Sequence, residues 1–559
     1  MNDVIEYIVD GTSGLAPGDV SGSAMIVGVC SAGTVGKAYL LGKSSDLSGL
    51  LGAGPLVDAL RDVFATGGQE AYVVAVPCSG VSGAYITDIT HVGGGSEATV
   101  SGVAAENADV VISVVSGGVL GVATVKVSVD GGENFGSDQQ VAADGILPLT
   151  DQGANVVFVG DLVTDDTYSF AVRTAIGPVA HVGTGPDITV AGTVTMGADI
   201  ILQITSAGGL NEGTYQLSLD GDSFGLERTI PADGLISVGD TGVTITFPDE
   251  DAVQGDTYTF RLMAPVPSVS MVIDAIEQPL ETFDVENILV VGPTDSVDWA
   301  SFGAYADELW NKHRPTYFIT AARMPYDNED IDDWAAALIN EASEYSHRFV
   351  SVCAAWGEIS DTEGYTQRRN AAGLLQGRIL SIPVVRSIGR VRDAAVSQLA
   401  LPDGYNESHV TALANAGYTV AKKYAGLNGT YWEDAKTLAD ATSDYIYLRV
   451  VRTVFKAIRL ARIAALKSMY DEVGDPLRPE GAAGLNYLKA NIESAVGTMS
   501  AAVPQELADC IASFPAGQDI VNNGVATELE LIGIPVIGKI KIFAKYMYAG
   551  SAFDPRLEV

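Results

Sequence analysis

One stretch of this chain occurs twice, and that duplication limits its architecture more than any other feature. His91-Val92-Gly93 returns as His181-Val182-Gly183, and Asn107-Ala108-Asp109-Val110-Val111 as Gly197-Ala198-Asp199-Ile200-Ile201. Ser128-Val129-Asp130-Gly131 returns as Ser218-Leu219-Asp220-Gly221, and Asp166-Thr167-Tyr168-Ser169-Phe170 as Asp256-Thr257-Tyr258-Thr259-Phe260. A period of about 90 residues is that of a small domain copied in tandem, not of a solenoid unit. The copies, 86–177 and 178–264, each read as short strands with a turn every ~8–12 residues, the rhythm of a small β-sandwich. Asp-Thr-Tyr-Ser/Thr-Phe places its aromatics on one face and its hydroxyls on the other, as a half-buried strand should. Asp130-Gly131 and Asp220-Gly221 read as hairpin turns.

The flanks differ in kind. Residues 1–20 hold an alternating segment, Val4-Ile5-Glu6-Tyr7-Ile8-Val9, then a Gly/Ser/Pro-rich stretch through Pro17 and Gly18. A lone amphipathic strand on such a tether either folds back or adds to the sheet edge of another molecule. Ser23–Val29, a helix over 55–66 stopped by Gly67-Gly68, and Ala71–Val76 read as βαβ. From about 266, strands at 287–291, 316–320 and 349–353 alternate with helices at 299–310 and 331–345, the second opened by the acidic run Asp327–Asp330. Such alternation predicts a mostly parallel sheet under helices. Long helices at 438–471 and 482–499 follow, then strands at 526–532 and 537–547. The fold class is α/β (α+β) multidomain, a body of mixed sheet and covering helices with two tandem immunoglobulin-like β-sandwich repeats inserted.

The formal net charge of −38 argues against nucleic-acid binding, which needs clustered Lys and Arg. Basic residues are sparse before residue 265 but dense from Arg378 through Arg386, Arg390, Arg449, Arg452 and Arg459 to Lys467. That density reads either as a grip on an acidic partner or as ordinary solvated helix faces. Cys30, Cys78, Cys353 and Cys510 are scattered without pairing, so neither a disulfide framework nor a metal site is expected. The first three sit in apolar runs as small core residues. The opening residues lack a basic and apolar leader pattern, and no apolar run reaches the ~18 residues of a membrane span. Cytoplasmic synthesis and no direct membrane insertion are therefore expected.

No catalytic, cofactor or metal constellation emerges. Ser31-Ala32-Gly33-Thr34-Val35-Gly36-Lys37-Ala38 approaches a phosphate loop but has Ser31 where glycine is needed and Ala38 where a hydroxyl is needed. Gly49-Leu50-Leu51-Gly52-Ala53-Gly54 has no strand leading into it. Of the histidines, His91 and His181 read as linker residues at the entry to each copy. Asp165-Asp166 and Asp249-Glu250-Asp251 read as solvated turn residues. Catalytic, cofactor-binding and metal residues are all assigned as none.

What remains is an order of segments. Ser23-Ala24-Met25-Ile26-Val27-Gly28 follows an extended arm, and Gly67-Gly68-Gln69-Glu70-Ala71-Tyr72-Val73-Val74-Ala75-Val76 resembles the strand after a Gly-Gly turn in contractile tail sheath proteins of myophages. Gly429-Thr430-Tyr431-Trp432, Asp440-Ala441-Thr442-Ser443-Asp444-Tyr445-Ile446 and Val450-Val451-Arg452-Thr453 resemble that family's approach to its long helix. The resemblance covers about 1–85 and 266–559. It implies an extended arm at 1–20, a sheath body at 21–85 and 265–400, the repeats at 86–177 and 178–264, a C-terminal helical/β domain at 401–535 and a strand arm at 536–559. It further implies a virion tail subunit, assembled in the host cytoplasm, that stacks in hexameric rings around a tail tube protein and meets a baseplate and a tail terminator. The arms, through Val4, Ile5, Tyr7, Ile8, Ile540, Ile542 and Tyr546, would exchange strands between copies. The helix from Ala482 to Met499, through Asn486, Lys489, Asn491 and Glu493, would face the tube, although it carries few basic residues. Two rival readings stay open: a surface or glycan-binding protein using the tandem β-domains, and an α/β hydrolase with accessory modules.

Overall fold

The computed structural model describes residues 21–559 apart from 70, 328, 361–365, 476–481, 516, 545, 547, 548, 550–555 and 557–559. The arm residues Val4, Ile5, Tyr7 and Ile8 lie outside the described residues. The chain forms two compact units, Met1–Leu466 and Lys467–Val559.

The first unit is built on a six-stranded sheet in the order Tyr39–Gly42, Tyr72–Cys78, Ala24–Val29, Asn287–Pro293, Tyr317–Ala321, Val350–Cys353. All run parallel except the edge strand Tyr39–Gly42, which pairs antiparallel with Tyr72–Cys78. Ala24, Met25, Ile26 and Val27 are each 0% exposed, as a sheet covered on both faces requires. The βαβ reading and the later alternation of strands and helices hold. The edge strand was missed because its four residues follow a glycine-containing loop and carry little alternation. Helix Pro55–Thr66 takes Pro in its first turn, Asp295 and Asp298 form a capping box for Ser296–Asn311, and Asp330 caps Ile331–Ala342. Gly373 and Gly377 let helix Ala372–Leu380 approach Pro55–Thr66 closely: a Cβ on Gly377 would collide with Thr66 Oγ1 and the Val63 carbonyl.

The repeats leave and re-enter this body through a neck. Val81 and Val266 exchange both backbone hydrogen bonds, at 2.8 and 3.0 Å. In the first copy, Tyr85–Ile86, Thr167–Arg173, Ala108–Ser116, Thr124–Ser128 and Gln139–Gln140 form one antiparallel sheet, with Thr90–Val92 also on Thr167–Arg173. Ile146–Leu149, Ala154–Phe158 and Ala98–Gly102 form another. The second copy repeats this with Ala180–Val182, Thr257–Leu262, Ala198–Ser206, Thr214–Ser218 and Arg228–Thr229 against Thr189–Gly192, Val243–Thr246 and Leu235–Ser237. The two sheets of each copy share one apolar cluster, holding Tyr168 and Phe170 in one and Tyr258 and Phe260 in the other. The cassette is also seated on the body: Tyr85 stacks on Tyr326 at 4.8 Å, and Arg261 bridges Asp199 at 2.5 Å and Asp327.

Asp220-Gly221 lies in the loop joining the antiparallel strands Thr214–Ser218 and Arg228–Thr229, and Asp130-Gly131 in the one joining Thr124–Ser128 and Gln139–Gln140. Asp130 organises that loop, accepting from Ser128 Oγ at 2.5 Å and the Asn134 amide at 2.9 Å. The helix expected at 438–471 is Leu448–Leu466. Asp440 Oδ1 accepts from the Thr442 amide at 2.9 Å and hydroxyl at 2.7 Å, a local turn that competes with helix upstream. Downstream, Tyr470 takes a φ of 69°. The described residues of 537–547 form no strand.

In the second unit, helix Ala483–Ala501 buries Ile492, Val496 and Met499, and Asp509–Ser513 pairs antiparallel with Glu528–Ile532. No helix among the described residues is long and apolar enough to cross a membrane.

Candidate assembly surfaces

The second unit ends in Val536-Ile537-Gly538-Lys539-Ile540-Lys541-Ile542-Phe543, where apolar and basic residues alternate with the period of a strand. Ile537 is 80% exposed, Ile540 75%, Ile542 87%, Phe543 85% and Tyr546 83%. A strand is stable only with a ladder partner to take its amides and carbonyls, and among the described residues 536–543 pair with no strand. Covering their side chains is worth on the order of 10 kcal/mol in total, at about 1.5–3 kcal/mol for each large apolar residue. Exposed apolar runs of this kind are uncommon on an isolated subunit.

The four helix residues divide. Asn486 is exposed, and Lys489 is half-buried beside Glu493 at 3.7 Å. Glu493 Oε1 accepts the Ala512 amide at 3.0 Å, which ties the helix to Asp509–Ser513. Asn491 donates to Ser468 Oγ at 3.5 Å. Glu493 and Asn491 thus serve the unit itself, and only Asn486 and Lys489 face outward enough to meet another chain.

The basic segment follows neither open reading as a whole. Arg452 and Arg459, seven residues apart on one helix face, are 2% and 7% exposed. Arg452 pairs with Glu286, and Arg459 reaches Asp284 at 3.2 Å and the Val285 carbonyl at 2.8 Å. Glu286 also accepts from Tyr317 Oη at 3.2 Å and the Gly22 amide at 2.7 Å. Arg449 meets Asp434 at 2.6 Å; burial pushes the Asp434 carboxyl up, although Arg449 and the Ser387 hydroxyl oppose it. In the same way Asp62, 3% exposed, is held bidentately by Arg369 at 2.6 and 3.0 Å. These pairs fasten the body, and except for Arg449–Asp434 their partners lie at least 166 residues apart along the chain, too far for sequence spacing to foresee.

The repeat histidines are not linkers. His91 lies 3.2 Å from Asp166 and stacks on Tyr168 at 4.3 Å, and His181 does the same with Asp256 and Tyr258. Asp165 and Asp249-Glu250-Asp251 are exposed as expected of turn residues, but Asp166 is not: it and its repeat equivalent Asp256 are 4% and 3% exposed and take the amides of Gly95 and Gly185 at 2.7 and 2.6 Å. Burial pushes each carboxyl up, but the histidine and backbone hydrogen bonds outweigh it and hold both below the usual range. Internal repetition was the available signal, since the same His and Asp recur in both copies. His347 pairs with Asp307 at 3.2 Å and His409 with Asp332 at 2.5 Å.

The phosphate-loop likeness is settled by its amides. Ser31 and Ala32 donate to the carbonyls of Ala53 and Leu51, Gly36 to that of Pro77, and Thr34 to Tyr39 Oη, so the cradle is already spent. Burial pushes the Cys78 and Cys353 thiols up to about 12, which fits small core residues and not nucleophiles.

The family description DUF2586, N-terminal domain, matches residues 1–436, and DUF2586, C-terminal domain, matches residues 444–551. No curated protein sequence matches the chain. Similar solved structures include a sheath tail protein of Desulfitobacterium hafniense, 13% identical, with 95% of this chain and 100% of that one covered at a TM-score of 0.41. A sheath tail protein of Listeria innocua is 10% identical, with 92% and 95% covered at a TM-score of 0.40. The sheath complex of an extracellular contractile injection system, in its contracted state, is 14% identical, with 50% and 75% covered at a TM-score of 0.37.

Proposed function

Taking as premise that the chain belongs to the DUF2586 family, we propose that it is the structural, non-enzymatic subunit of a contractile tail sheath. It polymerises as stacked hexameric rings around a tail tube, between a baseplate and a terminator, and its contraction drives the tube through a host envelope. The observation that carries this reading is the exposed, alternating apolar run at 536–543, which suits a segment completed by another copy. Strand addition supplies backbone hydrogen bonds that outlast a rearrangement of side-chain contacts, as a mesh that survives contraction needs. The ordered segments shared with sheath proteins support the same reading. So does the cassette, whose two-stranded neck lets immunoglobulin-like modules decorate a subunit without interrupting its body.

Electron microscopy of the purified full-length protein tests it: long hollow polymers are expected, and discrete particles under every assembly condition would contradict it. A second reading, glycan recognition by the repeats, draws on Phe135 and Phe224, each 42% exposed at matching positions of the two loops. Binding to a glycan array that is lost in the paired Phe135→Ala and Phe224→Ala variant would support it.

A further inference from the structure

A cleft of about 410 Å³ opens between the C-terminal ends of helices Pro55–Thr66 and Ala372–Leu380 and the segment from Arg386 to Gln398. Arg378 lines it and is only 9% exposed. Its guanidinium donates to the carbonyls of Asp393 and Ala394 at 2.5 and 3.0 Å, and its Nε has no hydrogen-bond partner. The carboxylate in the cleft, Asp393, is already shared by Arg386 at 3.6 Å and Arg390 at 3.2 Å. Three guanidiniums therefore surround one carboxylate, and the deepest of them touches none. Burial destabilises the charged form and draws the Arg378 pKa downward here, although the Asp393 carboxylate opposes it. Ser397 adds a hydroxyl to the walls, while the Ser381 hydroxyl donates to the Arg378 carbonyl at 2.8 Å. In a chain of net charge −38, this cleft is floored by a guanidinium that makes no salt bridge of its own among the described residues.

We propose that this cleft is a binding site for an oxyanion, a carboxylate or phosphate group, gripped by Arg378 at its floor and Arg386 at its rim. Planar guanidiniums suit such groups because they offer paired donors along with charge. The anion comes either from solution or from an acidic side chain of a second copy. The inference stands apart from the sheath reading, because the first arm of its test uses unassembled protein.

That arm titrates inorganic phosphate into the full-length protein by calorimetry, with chloride at matched ionic strength as control. Saturable binding is expected, about 10-fold weaker in Arg386→Ala, a rim substitution that leaves the packed floor intact. Arg378→Lys, which keeps the charge but loses the fork, should weaken it similarly. The second arm measures sedimentable polymer. Loss of polymer in Arg386→Ala, together with competition by phosphate in the parent, assigns the anion to a neighbouring copy. Unchanged polymer with phosphate binding intact assigns it to solution. Absence of saturable binding, or binding that both variants leave unaltered, overturns the proposal. So does loss of polymer in Arg386→Ala without phosphate binding. If no polymer forms at all, the phosphate arm decides alone.

Discussion

Arg452 and Glu286 are both nearly removed from water, on segments 166 residues apart in sequence. Removing one partner of such a pair leaves a buried charge uncompensated, at a cost of about 3–5 kcal/mol. Arg452→Met should lower stability by that amount in denaturant unfolding, and adding Glu286→Gln should restore a large part of it. The His91–Asp166 and His181–Asp256 pairs give a prediction of a different sign. Their carboxyls are held low in the folded state, so their stabilisation is complete above the ordinary carboxylate pKa of about 4 and fades as pH falls through the lower folded values. Thermal unfolding of the cassette should therefore be level near neutral pH and drop below about pH 4, and the Asp166→Asn, Asp256→Asn variant should flatten that drop.

At the scale of elements, the strands at 24–29, 72–78, 287–293, 317–321 and 350–353 were legible because each is a buried apolar run between turn signals. The repeats were legible because Tyr168 and Phe170, like Tyr258 and Phe260, alternate inward. The upstream limit of the long helix was not, since the apolar spacing runs on through Ala439 and Ala441 and only the side-chain turn at Asp440 breaks it. The ion pairs were not, because composition shows charges but not which distant carboxylate each one meets. Of the candidate site, the apolar alternation of Ile540 and Ile542 was legible; that they pair with no strand among the described residues is a property of the fold. Two tests belong here. Replacing residues 82–265 by a short linker between Val81 and Val266 should leave the body folded by circular dichroism, because the neck already holds those ends together. Gly377→Val should destabilise by about 1–3 kcal/mol, the usual cost of overpacking, since the helix at Pro55–Thr66 has no room to retreat.

For the whole molecule, two features stand out: an exposed apolar run at 536–543 that pairs with no strand among the described residues, and a guanidinium-floored cleft in an otherwise acidic chain. Both make sense for a protein whose stable form contains more than one copy. Deleting residues 534–559 should abolish polymer while shifting the unfolding of the remaining chain little, as read by sedimentation and calorimetry in parallel. The central claim is that the exposed terminal segment is completed by a neighbour. A high-resolution cryo-electron microscopy map of the polymer tests it most directly. It should show Ile537 to Tyr546 hydrogen-bonded as a strand in the sheet of an adjacent subunit, and a segment folded onto its own subunit or left in solvent would contradict the account.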